Sequence, residues 1–190
     1  MRAALALAAA QLCLAQPSFN ISGDQFILDG APVTIKSGSM HYFRVHPSLW
    51  RDRLQRMAAM GLNTVQTYVA WNWHRQDDGS LDFASPGRNL SAFFDVALEL
   101  GMGVLLRPGP FICGEWEMGS LPSEMYLETP ALVFRTNNTA YLAQVDAYWT
   151  QLLPVVRPWL RNNGGPIFMV QIENEYGWVG GGWADAARRS

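Results

Sequence analysis

Residues 164–177 read Gly-Gly-Pro-Ile-Phe-Met-Val-Gln-Ile-Glu-Asn-Glu-Tyr-Gly. A Gly-Gly-Pro turn opens into the apolar run 167–172, broken only by Gln171, which reads as a buried parallel strand. The strand then stops in Glu173, Asn174 and Glu175. Burying an unpaired carboxylate costs several kcal/mol or forces a pKa shift, so a strand that ends this way must end in a polar pocket. In α/β folds the carboxyl ends of parallel strands are where chemistry sits. Side chains alternate along a strand, which puts Glu173 and Glu175 on one face and Asn174 on the other unless the strand loses its regularity there.

The rest of the chain repeats the theme. Residues 26–28 and 33–35 flank Asp29-Gly30-Ala31-Pro32, an antiparallel strand-turn-strand lead-in. Residues 37–43 predict a strand ending in the cluster His41, Tyr42, Phe43 and Arg44. Pro47 then opens a helix with Trp50, Leu54, Met57 and Ala58 inward and Gly61 at its stop. Residues 64–69 form the next strand, ending in Ala70-Trp71-Asn72-Trp73-His74. Asn89 or Ser91 caps a helix with Phe93, Phe94, Ala97, Leu98 and Leu100 inward, closed by Gly101. Residues 103–106 give a third strand, and the loop after it carries Glu115, Trp116 and Glu117. A short helix near 121–127 and a long one over 139–160, kinked near Pro154 or Pro158, precede the last strand.

Strands alternating with helices imply parallel βα units, and each strand ends in polar or aromatic residues, as in a (β/α)8 TIM barrel. No Gly-x-Gly-x-x-Gly turn or phosphate-binding loop supports nucleotide binding. A complete barrel takes about 250 residues, and this chain has 190. Residues 178–190 offer no fifth strand, so a barrel truncated after about the fourth βα unit is expected, with exposed sheet edges that favour aggregation.

Met1-Arg2 and the Ala- and Leu-rich run that follows read as a signal peptide over 1–16, leaving 17–190 as the mature unit. No later stretch is apolar for long enough to span a membrane. Acceptor sequons at Asn20, Asn89 and Asn137 fit a secretory route. Cys13 leaves with the leader and Cys113 stays unpaired, expected as a buried, inert thiol. The net charge of -2, from well-mixed acidic and basic residues, gives no footprint for nucleic acid.

Three strand ends would meet over one pocket: Tyr68 with Trp71 and Asn72, Glu115 with Trp116, and Glu173, Asn174 and Glu175. Carboxylates and an amide can bridge vicinal hydroxyls while aromatic rings cover a sugar face. His41, His46 and His74 are scattered and form no His-Glu-x-x-His helix, so no metal or other cofactor is expected. His41 and His74 are expected as hydrogen-bonded pocket walls. No Gly-x-Ser-x-Gly elbow supports serine hydrolysis. Glycoside hydrolysis fits the inventory, since it needs one protonated acid and one carboxylate as nucleophile or base. Neither Glu173/Glu175 nor Glu115/Glu117 makes such a pair by itself, because neighbours in sequence do not face each other across a glycosidic bond.

Residues 164–177, with Arg107-Pro108-Gly109-Pro110-Phe111-Ile112-Cys113-Gly114-Glu115-Trp116-Glu117 and Thr67-Tyr68-Val69-Ala70-Trp71-Asn72, resemble glycoside hydrolase family 35, the β-galactosidases of lysosomal and secreted type. The resemblance implies a catalytic (β/α)8 barrel that removes terminal β-linked galactose with retention. It implies Glu175 as general acid/base, with a raised pKa that keeps it protonated at the start. Asn174 would bind the sugar's 2-hydroxyl side, Tyr68, Gly114 and Glu115 would line the galactose site, and Glu173 would support them from behind. The family's nucleophilic Glu belongs to a later strand. Three departures bear on loop shape: Ala70 replaces the usual Pro, Arg75-Gln76-Asp77 replaces Glu-Pro, and Ser123-Glu124-Met125 replaces Ala-Trp-Leu. The expected function is therefore a retaining β-galactosidase of the lysosome or exterior. The alternative is an inactive product, at most a carbohydrate-binding or regulatory remnant.

Overall fold

The computed structural model describes residues 17–129 and 131–178; the expected signal peptide over 1–16 and the tail after 178 lie outside the described residues. Two sheets are present. The smaller is the antiparallel lead-in: β1 (Phe19–Ser22), β2 (Gln25–Leu28) and β3 (Ala31–Val33), in that order. The expected hairpin is there, with Phe26 opposite Val33. β1 is an addition that its short, polar-interrupted sequence did not signal. Arg161, just ahead of the last strand, donates to the Asp29 carboxylate in the β2–β3 turn, holding that carboxyl below its ordinary range.

The main sheet is parallel, in the order β4 (Ser37–Ser39), β5 (Thr64–Tyr68), β6 (Gly103–Gly109) and β7 (Ile167–Ile172). Consecutive strands are neighbours joined by helical crossovers, the arrangement of successive units in a (β/α)8 barrel. β4 ends sooner than expected, because after Met40, whose amide still donates to Gln66 O, the chain enters a 3-10 turn at Tyr42–Arg44.

Helix α1 (Trp50–Ala59) follows a 3-10 turn opened by Pro47 and buries Trp50, Leu54 and Met57 at 3–4-residue spacing. Leu54 is fully enclosed, which contributes about 2 kcal/mol of hydrophobic stabilisation. A single turn, α2 (Trp71–His74), follows β5. Asn89 caps α3 (Leu90–Glu99), its side chain accepting from the Ala92 amide at 2.9 Å. Phe93, Phe94 and Ala97 of α3 are buried as expected, whereas Leu98 turns to solvent because it lies off that stripe. After the short α4 (Glu124–Glu128), Asn138 caps α5 (Thr139–Val156) by accepting from Tyr141 N at 3.0 Å. α5 runs through Pro154 and gives way at Arg157–Trp159 to a 3-10 turn, so it ends four residues short of the expected 160.

β7 corrects one expectation. It is parallel but buried only at its start: Ile167 is 1% exposed, whereas Val170 is 43% and Ile172 60% exposed. The cause is position, because among the described residues β7 is the sheet's last strand: β6 is its one strand neighbour, and beyond that only Ile167 forms a bridge, with Leu160. Its outer half borders an apolar groove of about 540 Å³ lined by Trp149, Leu152, Leu153, Leu160, Val170 and Ile172. No described helix is long and apolar enough to cross a membrane.

Candidate active site

The carboxyl ends of β5, β6 and β7 bring most of the expected residues together. Tyr68 closes β5 opposite Arg107 of β6, and the register sets both side chains on one face. The Arg107 guanidinium lies 4.3 Å from the Tyr68 ring centre and donates to Asn174 Oδ1 beyond β7. The Tyr68 hydroxyl lies 3.5 Å from the same oxygen. Asn174, 6% exposed, is thus fixed by groups from two neighbouring strands. Burial raises the Tyr68 phenol pKa, Arg107 opposes that shift, and Cys113, Glu115 and Glu175 each push it further up. The Glu115 and Glu175 carboxylates are both exposed.

The loop after β6 has a distinctive backbone. Cys113, Glu115, Met118 and Ser120 all adopt positive φ, as do Gly114 and Gly119. A non-glycine residue at positive φ is uncommon and costs free energy, so such a run persists only where the surroundings hold it. Ile112 N donates to Gly119 O at 2.8 Å, Trp116 N to Cys113 O at 3.0 Å and Ser120 Oγ to Pro110 O at 2.9 Å. Arg44 donates to the Gly114 and Glu115 carbonyls. A Cβ at Gly114 would stand 3.3 Å from the Tyr68 ring, a tight contact, and φ there is +59°, so glycine suits the position on both counts. Cys113 is exposed rather than buried, which corrects the expectation of a buried thiol; it lies in the loop after β6, outside the regular elements.

Strand alternation fails where β7 ends. Glu173 has φ 62° and Glu175 φ 51°, so the two carboxylates do not share a face. Glu173 is tucked inward, its carboxylate taking Arg135 Nη2 and the Asn174 amide at 2.9 Å each. Glu175 stays exposed.

Trp71 and Asn72 correct the expected pocket. Trp71 is a core residue stacked on Tyr148 at 4.6 Å. Asn72 is a bracket: its Oδ1 accepts from Trp116 Nε1 at 2.7 Å and its Nδ2 donates to Glu117 O at 3.1 Å. Trp116 packs edge-on against Phe43 at 4.7 Å.

Both histidines are hydrogen-bonded as expected, but His74 is fully buried in the core rather than a pocket wall. His41 accepts from the Tyr68 amide at 3.3 Å, and burial, aided by the Arg44 and Arg107 charges, pushes its pKa down to about 4. His74 is enclosed between the Tyr42 hydroxyl at Nε2 and the Asp82 carbonyl at Nδ1. A carbonyl only accepts, so Nδ1 carries the proton and Nε2 takes the phenol hydrogen. Burial pushes His74 down to about 4 and Tyr42 well up.

Sequence reasoning gave no role to Arg107 or to Arg135. Arg107 was legible in principle, as a cation in the middle of an apolar strand. Arg135 carried no local signal, since it sits in a loop 38 residues before its partner Glu173.

Comparison with known proteins agrees with this geometry. The chain is similar to the endo-1,4-β-mannanase of Rhizomucor miehei, with TM-score 0.62 and 18% identity over 83% of this chain and 48% of that one; this likeness concerns the fold alone. It is 50% identical over 154 residues to the β-galactosidase-1-like protein of Mus musculus, covering 81% of this chain and 24% of the relative. It is also 50% identical over 154 residues to the β-galactosidase of Bos taurus, covering 81% and 23%. Against β-galactosidase 8 of Oryza sativa subsp. japonica it is 46% identical over 162 residues, covering 85% and 24%. The chain thus spans about a quarter of the length of these curated relatives. The family model for glycosyl hydrolases family 35 matches residues 25–187, which contain all three strand ends described above, and the chain belongs to that family.

Proposed function

We propose that this chain supplies the acid/base half of a retaining β-galactosidase that removes terminal β-linked galactose. One observation carries the reading: Tyr68, Gly114 and Asn174 meet at three consecutive parallel strand ends, with Asn174 pinned by Arg107 and with Glu115 and Glu175 their neighbours in sequence. Glu175 is the general acid/base, giving its proton to the glycosidic oxygen and then taking one from the attacking water. Asn174 Oδ1 is engaged by two donors, so its NH2 is the half of the amide that can donate to the 2-hydroxyl side of the sugar. Tyr68, Gly114 and Glu115 line the galactose site. The nucleophilic carboxylate comes from a later strand of the barrel, so turnover belongs to a protein of the relatives' length.

Entry into the secretory pathway, with lysosome or exterior as destination, is part of the same reading. Asn20 and Asn137 are exposed and open to glycans, while Asn89 is half-buried and occupied as a helix cap.

The test grafts residues 25–178 in place of the matching segment of the bovine relative and measures hydrolysis of a chromogenic β-galactoside. We expect turnover that Glu175→Gln lowers by at least about 100-fold, the usual scale for general acid–base catalysis. Full turnover by Glu175→Gln refutes the assignment. A correctly folded graft that binds galactose without hydrolysis favours the binding reading.

A further inference from the structure

The turn that carries Asn174 and Glu175 is held from outside its own strand. Arg135 lies in the loop between α4 and α5, itself at φ 57°. Its guanidinium sits 3.8 Å from the Phe111 ring centre and 5.9 Å from that of Tyr176. From that slot Nη2 donates both to Glu173 Oε2, at 2.9 Å, and to the Asn174 carbonyl. The Arg135 and Glu173 side chains are each only 16% exposed. Glu173 Oε2 in turn accepts the Asn174 amide, so one cation fixes the carbonyl of residue 174 directly and its N–H through Glu173.

We propose that Arg135 is a positioning residue for the galactoside site, setting the left-handed turn that presents Asn174 and Glu175 to the sugar. The inference rests on the galactoside reading for its functional meaning. Glu173 and Glu175 both adopt positive φ, a conformation that reverts to ordinary strand geometry unless something outside the strand opposes it. The other bonds act elsewhere: Glu173 N donates to Gly109 O at 2.8 Å and fixes the turn's entry, Gln171 Nε2 reaches Glu173 O at 3.3 Å, and Arg107 and Tyr68 hold the Asn174 side chain, whereas Arg135 holds the Asn174 carbonyl. A planar guanidinium suits this task better than an ammonium, because it can lie flat on Phe111 while donating in its own plane.

The experiment uses the 190-residue chain as wild type, Arg135→Met and Arg135→Lys. Amide hydrogen exchange at Asn174 is measured by NMR, with Val145 of α5 as a core reference, and affinity for free galactose by titration. Losing a charge-assisted contact predicts that Arg135→Met speeds Asn174 exchange about tenfold relative to Val145 and weakens galactose binding about tenfold. Arg135→Lys should recover part of both. Asn174 exchange that is unchanged, or that changes only in step with Val145, overturns the proposal. So does undiminished galactose binding by Arg135→Met. Should Arg135→Met not fold, Arg135→Lys decides: faster Asn174 exchange than wild type supports the role, and wild-type exchange overturns it. A wild-type chain whose Asn174 exchange depends on Arg135 but which binds no galactose leaves the positioning intact and overturns galactose binding by the 190-residue chain, while the graft into the bovine relative tests the galactoside reading separately.

Discussion

Acid should weaken this fold through His74 before it weakens it through any carboxylate. The ring is enclosed between Tyr42 and the Asp82 carbonyl, with Asp82 and Arg88 the charged groups that act on it, and its pKa falls from 6.5 to about 4. Unfolded chains therefore take up a proton near pH 6.5 that the folded chain refuses until about pH 4. Stability linked to this group is complete above the unfolded value and is lost as pH falls towards the folded one. A gap of about 2.5 units at 1.36 kcal/mol each bounds the loss near 3 kcal/mol, of which about 2.5 kcal/mol has gone by pH 4.5. His41 shifts the same way but is half-exposed, so solvent screening makes its share smaller. Asp29, Asp78 and Asp82 are shifted below 3.8, so their contributions fade only below this window. Urea denaturation at pH 7 and pH 4.5 measures the drop for wild type and for His74→Phe. The variant is less stable at both, because it orphans the Tyr42 hydroxyl, but its difference between the two pH values should shrink by about 2 kcal/mol. An undiminished difference refutes the reasoning, as does a His74 ring that titrates near pH 6.5 in the folded chain by NMR.

Tyr148→Phe removes the donor that holds the Pro108 carbonyl at 2.7 Å in the core, and should cost about 1–3 kcal/mol in urea midpoint analysis while leaving the Trp71 stack in place. Ile172→Lys, at an apolar residue 60% exposed on the free edge of β7, should reduce self-association of the 190-residue chain in sedimentation velocity without lowering its melting temperature. An unchanged association state in that variant would mean that the β7 edge is not the sticky surface.

Much of the architecture was legible because it depends on short-range patterns. The 3–4-residue spacing of Trp50, Leu54 and Met57 gave α1, and Asn89 placed the start of α3. The change from apolar to acidic at Ile172–Glu173 located the site end of β7. The errors came where a residue's use depends on what packs against it. Trp71 and Asn72 stand in the same strand end as Tyr68, yet α5 claims the first through Tyr148 and the β6 loop claims the second through Trp116. Cys113 is exposed in a loop whose backbone is left-handed, a state that its own residue type disfavours and so does not signal.

By itself, then, the sequence determined the order of βα units, their caps and the polar strand ends, since period and capping are set within a few residues of one another. Tertiary structure alone decided which polar groups are tools and which are fasteners. Arg107 reaches across to Asn174 from 67 positions away, and Arg135 grips Glu173 from 38. Such contacts depend on the parallel register and the loop path rather than on local preference, and register is fixed only once the strands have paired.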